Sequence, residues 1–107
     1  MRRFGQRIDV RPDRIEEYER LHADPWPGVL DQIRRSNIRS YTIFRDGMSL
    51  FAYFEYVGSD FAADMAAMAA DPETQRWWAL TDAMQEPLPD REPGSWWKTL
   101  REVFHTD

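Results

Sequence analysis

The middle of the chain, residues 38–57, has the sequence IRSYTIFRDGMSLFAYFEYV. Two runs rich in aromatic and β-branched residues flank Asp46-Gly47, a dipeptide typical of two-residue β-hairpin loops. The segment therefore predicts two antiparallel strands, Ile38–Arg45 and Ser49–Val57.

The register of the hairpin follows from the choice of loop residues. If Asp46 and Gly47 form the loop, Tyr41 lies opposite Ala52, and the small alanine leaves space beside the Tyr41 ring. Side chains alternate between the two faces of a strand. The face of Tyr41 then also carries Ile43, Leu50, Ala52 and Phe54, and the opposite face carries Phe51, Tyr53 and Glu55.

Toward the N-terminus the pattern predicts a strand, Phe4–Val10, and two helices. The first helix begins at Pro12-Asp13, where Asp13 and Glu16 resemble a capping box, and it runs to about His22. Pro25 and Pro27 end it, because proline disfavours helix for the residue before it. The second helix has one apolar face and a C-terminal cap; the residues are Trp26, Val29, Leu30 and Ile33, capped by Asn37.

Toward the C-terminus the pattern predicts two further helices, a loop and a last strand. Ser59 is the expected cap of a helix whose apolar side carries Phe61, Met65 and Met68. Asp71-Pro72 has the residue types of an N-cap and first helical position. The proline-rich segment 87–94 is a loop by composition, and Trp96–His105 is the expected last strand.

The element order β-α-α-β-β-α-α-β predicts one α+β domain over residues 1–107. It is typical of the ferredoxin-like arrangement, an antiparallel sheet with helices on one face. The other sheet face, expected to carry Tyr41 and several apolar residues, then needs a cover. A second subunit supplies that cover most simply, so we expect a homodimer.

Composition excludes several classes of protein. The chain has 42% hydrophobic residues and five tryptophans, too many for a disordered protein. A net charge of −5 makes nucleic acid an unfavourable partner. The lack of cysteine excludes disulfides, thiol catalysis and cysteine-bound zinc, and favours the cytoplasm. We expect no signal peptide and no membrane span.

Tyr18 and His22 are the first candidates for chemistry. On a helix, residues four apart are neighbours, so these side chains share one side. Histidine exchanges protons near neutral pH, and Tyr18 can supply an aligning hydrogen bond. The alternative is a structural histidine beside a core tyrosine whose hydroxyl reaches solvent.

Trp77-Trp78 forms a second candidate cluster. An indole ring can stack on the apolar face of a sugar. Adjacent helical residues point about 100° apart, so one core and one interface tryptophan is an equal alternative. Trp96-Trp97 is expected in the core or at a dimer contact. His22 and His105 lie on different elements without metal-ligand spacing, so we expect no metal, and no motif indicates a cofactor.

The chain resembles the L-rhamnose mutarotases. The resemblance runs through most of the sequence in one order. Its segments are Glu17-Tyr18 with Arg20 and His22, Trp26-Pro27, Ser40-Tyr41, Leu50-Phe51-Ala52, Gln75-Arg76-Trp77-Trp78, Thr81-Asp82 and Glu102-Val103-Phe104-His105.

This resemblance implies a dimeric α+β barrel that interconverts the α and β anomers of L-rhamnose without cofactor or metal. It implies that His22 is the general acid. It also implies four residues that contact the sugar, namely Tyr18, Tyr41, Trp77 and Trp78.

The chain departs from the family pattern at three places. Ala23 stands where the family often has Asn or Asp, and Pro25 stands where it has an aliphatic residue. The late loop, residues 87–93, differs from the usual Asn-Pro-Asp-Asn-Ser-Pro. L-fucose is therefore a second candidate substrate. Three further functions fit the same residues: a cofactor-free monooxygenase on this barrel, a sugar-binding module without catalysis, and a structural dimer without a ligand.

Overall fold

A computed structural model describes residues 1–107 and contains an antiparallel sheet with four helices packed on one face. A short 3-10 turn, Pro12–Arg14, precedes the first helix. The strands are β1 Arg2–Val10, β2 Ile38–Asp46, β3 Ser49–Tyr56, β4 Gln85–Glu86 and β5 Lys98–Leu100. The helices are α1 Ile15–Ala23, α2 Pro27–Arg35, α3 Phe61–Ala70 and α4 Pro72–Met84.

The strand order in the sheet is β2-β3-β1-β4, and β5 pairs with β1 on the same side as β4. All pairs are antiparallel. This order confirms the predicted ferredoxin-like α+β arrangement. The two-residue strand β4 was not predicted, and it matters for the site because it fixes the position of Gln85.

The hairpin turn lies one residue later than predicted. Asp46 pairs with Ser49, so the loop residues are Gly47 and Met48. Gly47 has a φ of 59°, a conformation that glycine adopts without strain. The whole register consequently shifts by two residues, and Ile43, rather than Tyr41, lies opposite Ala52. A shift of two residues does not change which residues share a face, so Leu50, Ala52 and Phe54 lie on one face of β3 as predicted.

A bulge in β2 determines where Tyr41 lies. The ladder is irregular between Arg39 and Thr42, and Ser40 has a φ of 53°. The Tyr41 ring stacks on Phe54 with centroids 5.6 Å apart. Phe54 belongs to the face that packs against the helices. The expectation that Tyr41 sits on the uncovered face is therefore wrong, because the face that it shares with Phe54 is the one against which the helices pack.

The core forms two clusters on the helical face of the sheet. One joins β1 and β3 to α1 and α4, and contains Ile8, Val10, Tyr18, Leu50 and Met84. The other joins β2 and β3 to α3, and contains Ile38, Phe54 and Met68. Phe61 and Met65 pack against the second cluster, as the apolar side predicted for α3 requires. Because Tyr18 is a core residue, α1 is held firmly to the sheet.

Two of the predicted helix caps are wrong and two are correct. The Asp13 side chain makes no capping bond, because Pro12–Arg14 form a 3-10 turn and Arg14 takes the N-cap position of α1. Asp60, not Ser59, accepts a hydrogen bond from the Ala63 amide to cap α3. Asp71 caps α4 through the Thr74 amide, as predicted. Asn37 has a φ of 63° just beyond α2, the conformation of a C-terminal cap.

The predicted apolar face of α2 and the predicted last strand need correction. Leu30 is 51% exposed, because the buried side of α2 contains Val29 and Gln32 instead. The Gln32 amide donates to Ser36 Oγ.

The last strand is three residues long, Lys98–Leu100. After Leu100 the chain follows β1 through side-chain contacts, such as the ion pair of Arg3 with Glu102, rather than through ladder bonds.

Candidate active site

Helix α1 places Tyr18 and His22 one turn apart, as predicted. Their rings stack with centroids 4.1 Å apart and planes 27° apart. Tyr18 is only 3% exposed and anchors the pair in the core, whereas His22 is half-buried. The helix thus holds the imidazole at the boundary between the core and an open cleft.

The His22 ring has a defined orientation. Its Nδ1 lies 2.7 Å from the backbone oxygen of Tyr18. A carbonyl oxygen only accepts, so Nδ1 carries the proton and Nε2 is left as the nitrogen that gains or loses one. Burial lowers the pKa of His22 below its usual value, and the bond to the Tyr18 carbonyl partly opposes this. The neutral imidazole is therefore the major form at neutral pH.

Trp77 supports the imidazole from the side of α4. Its ring meets His22 edge-on with centroids 5.2 Å apart and planes 70° apart. Trp26 packs on Trp77 in the same manner at 5.2 Å. Trp77 is 7% exposed, so most of the indole is buried behind His22. This aromatic cluster restricts the imidazole to a narrow range of orientations.

The Tyr18 hydroxyl is held by residues that the sequence analysis did not single out. Gln85 Nε2 donates to Tyr18 Oη at 3.1 Å, and Trp96 Nε1 donates to Gln85 Oε1 at 2.8 Å. Gln85 is 3% exposed. Trp96 is 38% exposed and bonded to this buried amide, so it is not a core residue, and its expected dimer contact stays a prediction. No spacing in the sequence connects Tyr18 with Gln85, which are 67 residues apart.

A cleft of about 280 Å³ lies between α1 and the edge of the sheet. Its lining combines Tyr18 and His22 with residues of the hairpin. At its rim, Arg45 Nε lies 2.6 Å from Glu19 Oε1. The complete lining is Tyr18, Glu19, His22, Ala23, Ile43, Phe44, Arg45 and Leu50. The size suits a small polar molecule, with the apolar side chains of Ile43 and Leu50 available to its less polar face.

Tyr41 lies two residues before Ile43 on the same strand. Burial raises the pKa of the Tyr41 hydroxyl to about 12, although the residue as a whole keeps 39% exposure. Burial also raises the pKa of Tyr18, and the nearby Tyr41 raises it further. Both phenols are therefore protonated at neutral pH, so each has a proton to donate.

The structure thus brings Tyr18, His22 and Trp77 together and puts Tyr41 within electrostatic range of Tyr18. Trp78 is 37% exposed and makes no ring contact with the others, as the 100° between helical neighbours predicts. No group of three or more His, Asp or Glu side chains is arranged to hold a metal ion. None of the helices has the length and apolar composition needed to cross a membrane.

A family model described as L-rhamnose mutarotase matches residues 3–106. This chain belongs to the L-rhamnose mutarotase family. An L-rhamnose mutarotase from Oceanobacillus iheyensis is 31% identical over 109 residues and covers all of both chains. One from Ligilactobacillus salivarius is 33% identical, covering 98% of this chain and 97% of that one. One from Opitutus terrae is 36% identical over 91 residues, 85% of each chain.

The fold of the mutarotase family is also seen in a solved structure. The crystal structure of an L-rhamnose mutarotase from Formosa agariphila aligns over 100% of both chains with a TM-score of 0.77 at 21% identity. This likeness extends over every element, from β1 to the segment after β5. The family membership inferred from the sequence segments around Tyr18, Tyr41 and Trp77 is confirmed.

Proposed function

We propose that this protein is an isomerase that interconverts the α and β anomers of L-rhamnose. One observation carries the proposal: an imidazole with a fixed tautomer, His22, lines a cleft of a size that admits a monosaccharide. The names of the relatives supply the sugar.

Anomer exchange requires that the pyranose ring open and close again. The C1–O5 bond breaks as O5 gains a proton and the anomeric hydroxyl loses one, which leaves an open-chain aldehyde. We assign the first proton to His22, which donates it from Nε2 in its imidazolium form. When O5 attacks the opposite face of the aldehyde, it returns the proton to Nε2. A positioned acid of this kind contributes roughly 10²–10⁴-fold to the rate.

The second proton is assigned to a phenol or a water molecule. The raised pKa of Tyr41 means that its hydroxyl accepts a proton only while giving its own away, so Tyr41 acts as a relay. Tyr18 donates a hydrogen bond to a sugar oxygen. Trp77 keeps His22 oriented. Trp77 and the more exposed Trp78 remain predicted sugar contacts.

We further propose that two subunits pair through the sheet face without helices. That face carries Phe51, 37% exposed, and Phe44, 64% exposed, which are cross-strand partners. Val103 and Phe104 in the C-terminal segment are 86% and 79% exposed. Adjacent apolar groups of this kind favour a protein partner over solvent. The cysteine-free composition favours a cytoplasmic location.

Exchange NMR tests the proposed activity. Saturation of one anomeric proton and detection at the other measures the exchange rate without any coupling enzyme. We expect faster exchange of L-rhamnose in the presence of the protein, and smaller effects with L-fucose and common hexoses. Faster exchange of L-fucose alone would replace the proposed substrate, and no acceleration of any sugar would refute a mutarotase.

A further inference from the structure

The Trp96–Gln85–Tyr18 chain of hydrogen bonds has a direction that its chemistry fixes. The indole nitrogen of Trp96 is a donor only. Gln85 must therefore present its carbonyl oxygen Oε1 to Trp96, at 2.8 Å. Its amide nitrogen then faces Tyr18 Oη, at 3.1 Å. The orientation of the Gln85 amide, which would otherwise be ambiguous, is settled by the indole.

The direction of this chain determines what the Tyr18 hydroxyl does. Because Gln85 Nε2 has no lone pair to offer, Tyr18 Oη accepts and cannot donate to it. The phenolic proton must then point away from Gln85. No protein group accepts it, and Tyr18 lines the cleft beside His22. The proton is therefore available to an oxygen of a molecule in the cleft.

The backbone holds Gln85 in place for this role. Gln85 forms the first residue of β4 and pairs with Val10 in the middle of the domain. It directly follows α4, whose residue Trp77 supports His22. The loop after β4 returns the chain so that Trp96 reaches the buried amide. The start of β4 thus connects α4, which carries the Trp77 that packs on His22, with Gln85, which bonds to Tyr18.

From this arrangement we infer that Gln85 is a positioning residue, oriented by Trp96, that makes Tyr18 a hydrogen-bond donor toward the sugar. The inference rests on the proposed function for its catalytic meaning. The direction of the hydrogen bonds can be tested independently of that function.

Two substitutions of Gln85 separate the effect of hydrogen-bond direction from the effect of side-chain packing. Gln85→Met keeps the volume and removes the donor, which leaves the Tyr18 hydroxyl free to rotate. Gln85→Glu keeps the shape of the side chain and replaces the amide nitrogen by an oxygen, so an ionised carboxylate accepts from Tyr18 and draws its proton away from the cleft. The donors Trp96 and Tyr18 favour the ionised carboxylate and burial opposes it, so the measurements are made from about pH 7 to pH 10, and the ionised form is the one that tests the inference. Trp96→Phe keeps a ring and removes the donor that orients the amide.

We expect kcat for anomer exchange to fall about 10-fold in Gln85→Met and further in Gln85→Glu, with KM changed less than kcat. Trp96→Phe should give a smaller loss of about 3-fold, because the amide then samples both orientations. The direct readout is the 13Cζ resonance of Tyr18, which reports whether the phenol accepts or donates. It should move in the same direction in both variants, because both lose the bond that the phenol accepts, and it should move further in Gln85→Glu, where the phenol also donates to the carboxylate. Thermal unfolding shows whether both variants are folded.

The outcomes distinguish the inference from the proposed function. A Tyr18 resonance that is the same in Gln85→Glu as in the unsubstituted protein overturns the inference, whatever the activity. A kcat equal to that of the unsubstituted protein in all three variants also overturns it, because the amide would then have a structural role only. Shifted resonances together with no exchange activity in the unsubstituted protein support the hydrogen-bond direction and reject the mutarotase.

Discussion

The His22 imidazole meets the Trp77 indole edge-on, with ring centroids 5.2 Å apart. The contact joins α1 to α4 at the point where each helix faces the site. Because Trp77 is buried and has Trp26 behind it, the imidazole cannot swing toward α4. The two adjacent tryptophans of α4 consequently have different environments, and this difference can be measured.

Trp77→Ala and Trp78→Ala form a matched pair. Loss of the buried Trp77 should lower the free energy of unfolding by about 3–5 kcal/mol, because it leaves a cavity beside His22. Loss of the half-exposed Trp78 should cost about 1 kcal/mol or less, with a higher KM for the sugar. Urea unfolding and exchange kinetics provide both values. An unchanged KM in Trp78→Ala would remove Trp78 from the sugar site.

Tyr41→Phe tests the proton relay. The substitution keeps the ring that stacks on Phe54 and removes only the hydroxyl. We expect stability to change by no more than about 1 kcal/mol and the exchange rate to fall about 10-fold or more. Tyr53→Phe is the control, since Tyr53 lies on the other sheet face and donates to Glu55 Oε2. Equal rates in the two variants would exclude Tyr41 from the relay.

The pH dependence of exchange tests the protonation state of His22. Burial lowers its pKa below the usual value of about 6.5. If the imidazolium donates to O5, the enzymatic rate should rise as pH falls below neutrality and level off below this lowered pKa. The same lowered pKa means that the unfolded chain binds the proton more tightly, so stability should decrease over that pH range. A rate that falls with decreasing pH would instead identify neutral His22 as the initiating base.

A single charge on the uncovered sheet face tests the proposed dimer. Phe51→Glu places a carboxylate where Phe51 now pairs with Phe44, so it should shift the protein toward monomers in light scattering coupled to gel filtration. Leu80→Glu is the control, because Leu80 is 42% exposed on α4, in the helical layer. A protein that is already monomeric before substitution contradicts the proposed pairing.

Local sequence patterns predicted the fold well but not all of its geometry. Alternation in β3 grouped Leu50 and Phe54 on one face but did not show that the helices cover that face. The Asp71-Pro72 signal was sufficient for the start of α4. The turn dipeptide Asp46-Gly47 indicated a turn without fixing which residues close it, because glycine suits more than one loop position. The bulge at Ser40 accompanies stacking of Tyr41 on Phe54, a contact between two strands that no local preference encodes.

The site was only partly predictable for a related reason. Tyr18 and His22 are four apart on one helix, so their contact follows from helical geometry. Gln85 meets Tyr18 only because β4 pairs with β1, and a two-residue strand has no periodicity to detect. Trp96 could be noticed as an aromatic residue after a loop, but its partner is set by the tertiary fold.

The proposed role of His22 is tested most directly by comparing the two histidine variants in exchange NMR with L-rhamnose. His22→Ala should fold normally and lose most of the accelerated exchange. His105→Ala should keep it, because His105 is exposed near the C-terminus and contacts Asp107. An exchange rate in His22→Ala equal to that of the unsubstituted protein would contradict the assignment of His22 as the acid.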